Sequence, residues 1–212
     1  MRHRHLAATL GLALIASTAT AGVSIGEKLE PFALKDAVSG KDVDLKSAGG
    51  KKATVLMFIA TQCPVSNAYN DRMAAVAKDY AGKGVAFVGI NSNRQEAVEE
   101  IADHAKKNAF SFPVLKDTEN AKADQFGAAV TPEIYVYDAD WKLRYHGRID
   151  DNQAGTNIKN NDLRAALDAV IDGKPVPVAE TKAFGCTIKR VKKAETSMSG
   201  KADASKPEGS TK

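Results

Sequence analysis

The sequence predicts an α/β domain: a mixed central sheet flanked by helices, with an N-terminal hairpin extension and a C-terminal extension. Three observations carry this. Two short, continuous apolar runs, Val55 to Ala60 and Val85 to Ile90, read as strands buried on both faces. Each is followed by a segment whose apolar residues recur at helical spacing. Two further strands flank Asp138-Ala139-Asp140-Trp141 and close the sheet as a hairpin. Alternating strands and helices force parallel neighbours, and the hairpin makes the sheet mixed.

The chain opens with Arg2, His3, Arg4 and His5, followed by apolar Leu6 to Ala16 and the small residues of Ala19-Thr20-Ala21. This is the pattern of a secretory leader, so residues 1–21 are expected to be a signal peptide cleaved after Ala21. A periplasmic or secreted location follows, and such a compartment permits disulfides. The apolar stretch is too short for a transmembrane helix, and no later segment reads as a membrane span. Residues 22–190 are expected to form the domain with its C-terminal extension. Residues 191–212 are expected to be a disordered basic tail, since Ser197 to Lys212 has no apolar periodicity.

The leader holds two of the 30 basic residues and no acidic one, so 28 basic residues face 26 acidic ones beyond it, a net +2. Basic residues are not interleaved with aromatic ones, which argues against a nucleic-acid partner.

Within the domain, Ile25 to Leu45 reads as two short antiparallel strands around Ser39-Gly40, and residues 46–52 read as a polar loop. The strand Val55 to Ala60 follows. Tyr69, Met73, Val76 and Tyr80 mark one face of a helix over 65–80, ended by Gly82 and Gly84. The strand Val85 to Ile90 leads to a helix from Gln95 to Asn108, with Val98, Ile101, Ala102 and Ala105 on one face. Phe110 to Leu115 is extended around Pro113. A brief helix over Asn120 to Phe126 ends at Gly127. Glu133 to Tyr137 and Lys142 to His146 form the hairpin. A last helix, Asn161 to Ile171, turns Leu163, Leu167, Val170 and Ile171 inward and stops at Gly173.

The chemistry points to Cys63. It follows an apolar strand and the polar step Thr61-Gln62, and it precedes Pro64, a residue suited to the first turn of a helix. A sulfur at a helix start meets unpaired N–H groups and the positive end of the dipole. Both favour the thiolate, so the cysteine is expected to be nucleophilic rather than an inert core residue.

These segments resemble the thioredoxin superfamily, and within it the redoxin branch of alkyl hydroperoxide reductase/thiol-specific antioxidant-like proteins. The resemblance rests on four pieces. Gly26, Pro31, Phe32, Leu34 and Asp36, followed by Gly40-Lys41, Val43 and Leu45, resemble the redoxin N-terminal hairpin. Phe58 to Pro64 resembles the turn from strand to active cysteine. Val130-Thr131-Pro132 to Asp138 resembles the segment that sets a cis-proline beside that cysteine. Tyr145 to Asp151 completes the sheet. The coverage runs from about Ser24 to Gly173.

The resemblance implies a thioredoxin-like fold and a thiol oxidoreductase with Cys63 as nucleophile. It implies that Thr131 and a cis Pro132 shape a groove where the Thr131 backbone pairs with an extended substrate. Thr61, Pro64 and Ser66 support the active-site turn; Ser66 is read either as a hydroxyl that hydrogen-bonds the Cys63 sulfur or as a plain first-turn helix residue. Arg148 follows the last strand without matching the family's arginine motif, and is read either as a solvated loop charge or as a residue that lowers the thiol pKa or orients a peroxide. The chain also departs from two family patterns. Cys63-Pro64-Val65-Ser66 lacks the second cysteine of Cys-x-x-Cys, and Ala60 stands where peroxiredoxins carry Thr or Ser.

Cys186 is the other cysteine, in Ala183-Phe-Gly-Cys-Thr-Ile-Lys189. Two cysteines in an exported chain tend to pair. Three readings stand open: a reversible catalytic bridge with Cys186 as the resolving thiol, a structural staple, or a free or intermolecular Cys186. No cofactor is expected. No metal site is expected either. Asp150-x-Asn152-x-Ala154-Gly155 starts like a calcium loop but lacks oxygen ligands at Ala154 and a Glu at Asn161, and His104 and His146 have no partner at helical spacing. The functions left open are disulfide exchange with protein thiols and disulfides, reduction of hydroperoxides, and a non-catalytic binding module. The first two require a thiol reductant that the sequence does not identify.

Overall fold

Every residue of Ala53–Phe58 is buried, as a strand covered on both faces requires. This strand, β3, is an inner strand of a seven-stranded sheet in a computed structural model that describes residues 22–192. Around it lie β1 (Ala33–Asp36), β2 (Asp42–Asp44), β4 (Val85–Asn91), β5 (Val114–Lys116), β7 (Glu133–Asp138) and β8 (Leu143–Gly147). Their order is β2-β1-β5-β4-β3-β7-β8. The pairs β3–β4 and β4–β5 are parallel, and the other pairs are antiparallel. The mixed sheet and the opening hairpin read from the sequence are both present.

Alternate residues of β3 feed two cores. Val55 and Met57 face α3 (Asn70–Ala81), α4 (Val98–Lys107) and α6 (Asp162–Ile171), through Met73, Ile101 and Leu167 among others. Leu56 and Phe58 face the other side, where α5 (Ala121–Phe126) brings Ala123 and Phe126 beside Tyr135 and Tyr137. This two-sided covering fixes the end of β3, and hence the position of the residues that follow it.

Three local expectations change. The polar loop at 46–52 begins with a short helix, α1 (Leu45–Ala48), because the Asp44 carboxylate accepts the Lys46 N–H at 2.9 Å and caps it. The helix expected over 65–80 is broken into α2 (Pro64–Asn67) and α3. The break falls at Ala68-Tyr69, where the Tyr69 N–H turns to the Ser66 carbonyl at 3.0 Å and the Arg72 guanidinium takes the Ala68 carbonyl. The helix expected from Gln95 starts at Val98, which leaves Glu96 in the loop before it.

A second, two-stranded sheet pairs β6 (Val130–Thr131) with β9 (Cys186–Thr187). Among the described residues no helix is long and apolar enough to cross a membrane. The expected leader lies outside the described residues. So does the expected tail apart from its first two residues, and of these the Val191 N–H donates to Asn120 Oδ1 at 2.7 Å.

Candidate active site

Cys63 is the N-cap of α2, with extended backbone (φ −87°, ψ 115°), and Pro64 begins the helix. Proline fits there because its missing N–H is one that the first turn leaves unpaired anyway. The cysteine's own sulfur takes the place of a capping oxygen: the Ser66 N–H points at Sγ from 3.3 Å. Of the two readings of Ser66, the hydroxyl contact to the sulfur is not the one formed. Its backbone, not its hydroxyl, faces the sulfur. The hydroxyl lies on the other side and accepts the Ala60 N–H at 3.2 Å, joining the strand end to the helix start. Cys63 is only 4% exposed.

The residues just before Cys63 are held from α4 and the loop leading into it. Buried Glu96 accepts the Thr61 N–H at 2.9 Å and the Gln62 N–H at 3.1 Å. Glu100 accepts from the Thr61 hydroxyl and the Gln62 amide, both at 3.0 Å. One turn further, His104 Nε2 meets Oδ1 of Asn67, the last residue of α2, at 2.9 Å. Burial lowers the His104 pKa below its ordinary 6.5, which favours the neutral ring. Thr61 thus supports the turn from the side facing the glutamates.

On the opposite side stands the Thr131–Pro132 peptide, which is cis. The Thr131 carbonyl oxygen lies 3.4 Å from Cys63 Sγ. Glu133 fixes this loop: Oε2 accepts the N–H groups of Ala129 and Val130, and Oε1 lies 2.7 Å from His146 Nε2. Burial opposes the Glu133 charge, but these donors outweigh it and hold the carboxyl below its usual range.

Cys186 completes the site. It forms a disulfide with Cys63, with Cα atoms 5.9 Å apart. Thr131 pairs with Cys186 and Val130 with Thr187, so the backbone edge expected to receive an extended substrate carries the chain's own strand. The segment is anchored on both sides of the bridge. Before it, the Thr181 N–H donates to the His146 carbonyl, and the Thr181 hydroxyl contacts Tyr145 Oη at 2.7 Å. After it, Ile188 is buried and its N–H donates to the Ala129 carbonyl. Arg190 then pairs with Asp124 at 2.8 Å. A cleft of about 220 Å³ opens beside the disulfide, lined by polar side chains that include Gln62, Asn93 and Lys189. Cys186 is the more exposed of the two sulfur-bearing residues.

Arg148 does not join this group. Its Nε donates to Asp162 Oδ2 at 2.7 Å, which ties β8 to α6, and it does not line the cleft. Asp150 is likewise engaged, by Arg72 at 2.6 Å and by the Tyr69 hydroxyl.

A model of the AhpC/TSA family matches residues 25–146. The chain belongs to that family. With this membership and a paired Cys63 and Cys186, it is a thiol oxidoreductase. An uncharacterized conserved protein from Geobacillus kaustophilus is 36% identical, with a TM-score of 0.76 over 81% of this chain and 94% of its own. A hypothetical protein from Sinorhizobium meliloti 1021 is also 36% identical, with a TM-score of 0.74 over 80% and 96%. The peroxidoxin BcpB from Mycobacterium tuberculosis shares the fold, at 23% identity and a TM-score of 0.57 over 70% of this chain and 96% of its own. No curated protein matches significantly.

Within this AhpC/TSA site, sequence reasoning missed Asn93, Glu96, Glu100 and Glu133. Glu96, Glu100 and His104 do recur every four residues, a spacing that places them on one side of a helix. That stripe reads by default as a solvated face; here it supports the active-site turn.

Proposed function

We propose that the protein is an exported thiol-disulfide oxidoreductase in which Cys63 is the nucleophile and Cys186 the resolving thiol. The observation that carries this reading is the Cys63–Cys186 bridge, formed between a helix-capping sulfur and a segment anchored independently of it. In the reduced protein, the Ser66 N–H that faces Sγ favours the thiolate. That thiolate attacks one sulfur of a partner disulfide and displaces the other as a thiolate. Cys186 then attacks the Cys63 sulfur, the bond to the partner breaks, and the partner leaves as a second thiolate. Two electrons pass to the partner, and an external thiol reductant returns them by the reverse exchange. Protein thiols and disulfides are the partners this chemistry suits. Export to the periplasm or beyond rests on the leader pattern of residues 1–21, and an oxidising compartment agrees with the bridge.

The test is to mix reduced protein with stoichiometric oxidised glutathione and quench in acid for intact-mass measurement. Wild type is expected to end as the internal disulfide. Cys186→Ser is expected to stop as a glutathione adduct on Cys63, and Cys63→Ser to give no internal bridge. A Cys186→Ser protein that turns over as fast as wild type would sink the resolving role.

One observation favours a second reading, a thiol-dependent peroxidase. With β9 seated on Thr131, an extended peptide has no free edge there, whereas a hydroperoxide needs only the cleft. Cys63 would attack the peroxide oxygen, release water or an alcohol, and become a sulfenic acid. Cys186 would condense with it and release water. Loss of the Cys63 thiol within seconds of adding stoichiometric hydrogen peroxide supports this reading; loss over many minutes, like a free thiol, overturns it.

A further inference from the structure

Once the bridge is reduced, something other than a covalent bond must keep the two cysteines together. Cys63 and Cys186 stand on segments that are remote in sequence, and the loop after β4 touches both. Glu96 accepts the N–H groups of Thr61 and Gln62, the two residues before Cys63, at 2.9 and 3.1 Å. Asn93 Oδ1 accepts the N–H of Lys189, three residues past Cys186, at 2.8 Å, while the Arg94 N–H donates to the Lys189 carbonyl, also at 2.8 Å. The two grips are joined: Asn93 Nδ2 donates to Glu96 Oε1 at 3.2 Å. Both side chains are buried, at 4% and 2% exposure. The loop is itself braced by Lys116, whose ammonium donates to the carbonyls of Asn93 and Glu96 at 2.7 and 2.9 Å.

We propose that Asn93 and Glu96 are positioning residues for the resolving step, forming a clamp that keeps the reduced Cys186 thiol beside Cys63. This rests on the oxidoreductase reading and names the device that makes Cys186 an effective resolver. Neither residue reacts. Their effect is on effective concentration, because a thiol held in place attacks far more readily than one on a loose segment. The step they serve is balanced as an exchange. The Cys186 thiolate bonds to the Cys63 sulfur, the bond from Cys63 to the partner sulfur breaks, and the partner leaves with the electron pair as a thiolate.

The readout is the equilibrium constant for two protein thiols plus oxidised glutathione giving the internal disulfide plus two reduced glutathiones. It has units of concentration and reports how well Cys186 is presented. Asn93→Ala removes the acceptor for Lys189 and the donor to Glu96 together. The expected result is a constant about tenfold lower, as for loss of one well-formed buried hydrogen bond. The pH profile of Cys63 alkylation, measured in a Cys186→Ser background, is expected to stay unmoved. A merely structural role would not separate these two readouts. Should Asn93→Ala fail to fold, Asn93→Ser leaves a polar group in the pocket but cannot bridge both partners, and carries the same expectation. A variant constant within twofold of wild type overturns the clamp while leaving the oxidoreductase reading intact. So does an alkylation profile that shifts enough to account for the whole change. A wild-type pair that does not interconvert across glutathione buffers overturns that reading and the clamp with it.

Discussion

Gly185 stands against the carbonyl of Thr131 so closely that a Cβ added to the glycine would overlap the carbonyl oxygen and carbon. The neighbour is backbone on a loop fixed by Glu133, so it has little room to yield. Gly185→Ala is therefore expected to push β9 away from β6 and withdraw Cys186 from Cys63. Overlap of this kind costs about 1–3 kcal/mol. The expected outcome is a folded protein that forms its internal disulfide at least about tenfold more slowly, measured by acid-quenched alkylation after adding oxidised glutathione.

Glu133 carries a charge that the fold protects. Its folded pKa lies below the ordinary 4.5, so its contribution to stability is complete above that value and is lost as pH falls through the folded pKa. Glu133→Gln removes an acceptor shared among Ala129, Val130, Tyr135 and His146. At pH 7 a loss of about 1.5–3 kcal/mol is expected, the range for hydrogen bonds to a charged group. Urea unfolding at pH 7 and again near pH 3 checks this, because the gap between variant and wild type should narrow in acid.

His104 acts in the other direction. Its folded pKa is lowered from 6.5 by burial, so below pH 6.5 the unfolded chain takes up a proton that the native ring refuses. Stability should fall as pH drops from about 6.5 towards the folded value and then level off. A His104→Gln protein should lack this component. Unfolding midpoints at pH 8 and pH 5.5 for the two proteins test it, and an identical pH response would reject the assignment.

Arg148→Ala should leave the thiol chemistry alone. Its partner is Asp162 on α6, with the Nε–Oδ2 distance at 2.7 Å. The alkylation rate of reduced Cys63 at pH 7 is expected to match wild type within about twofold, while breaking a half-buried ion pair lowers stability by about 1 kcal/mol or less. A large drop in the alkylation rate would return Arg148 to the active site.

The core was legible because its signals are local. Val55 to Ala60 and Val85 to Ile90 are apolar without interruption, and Tyr69, Met73, Val76 and Tyr80 repeat at helical spacing; each pattern follows from what covers those residues. The place of Cys63 between strand and helix was legible for the same reason, through the apolar run before it and Pro64 after it. The C-terminal segment was not. β6 and β9 have two residues each, too few for any period to show, and their pairing depends on a glycine whose neighbour is 54 positions earlier in the chain. Glu96 escaped notice because it falls where the helical pattern of α4 begins, and only the fold reveals that its carboxylate receives four N–H donors from residues 61, 62, 91 and 93.

The bridge joins residues 123 positions apart and takes its second sulfur from the last described stretch of the chain. Chains are made from the N-terminus onward. During synthesis, then, Cys63 exists for most of the domain's length without its partner, and the backbone edge at Thr131 is open. Any disulfide that forms in that interval joins the nascent chain to another molecule. The protein passes, at birth, through a state with the Cys63 thiol uncovered, and the arrival of Cys186 ends that exposure.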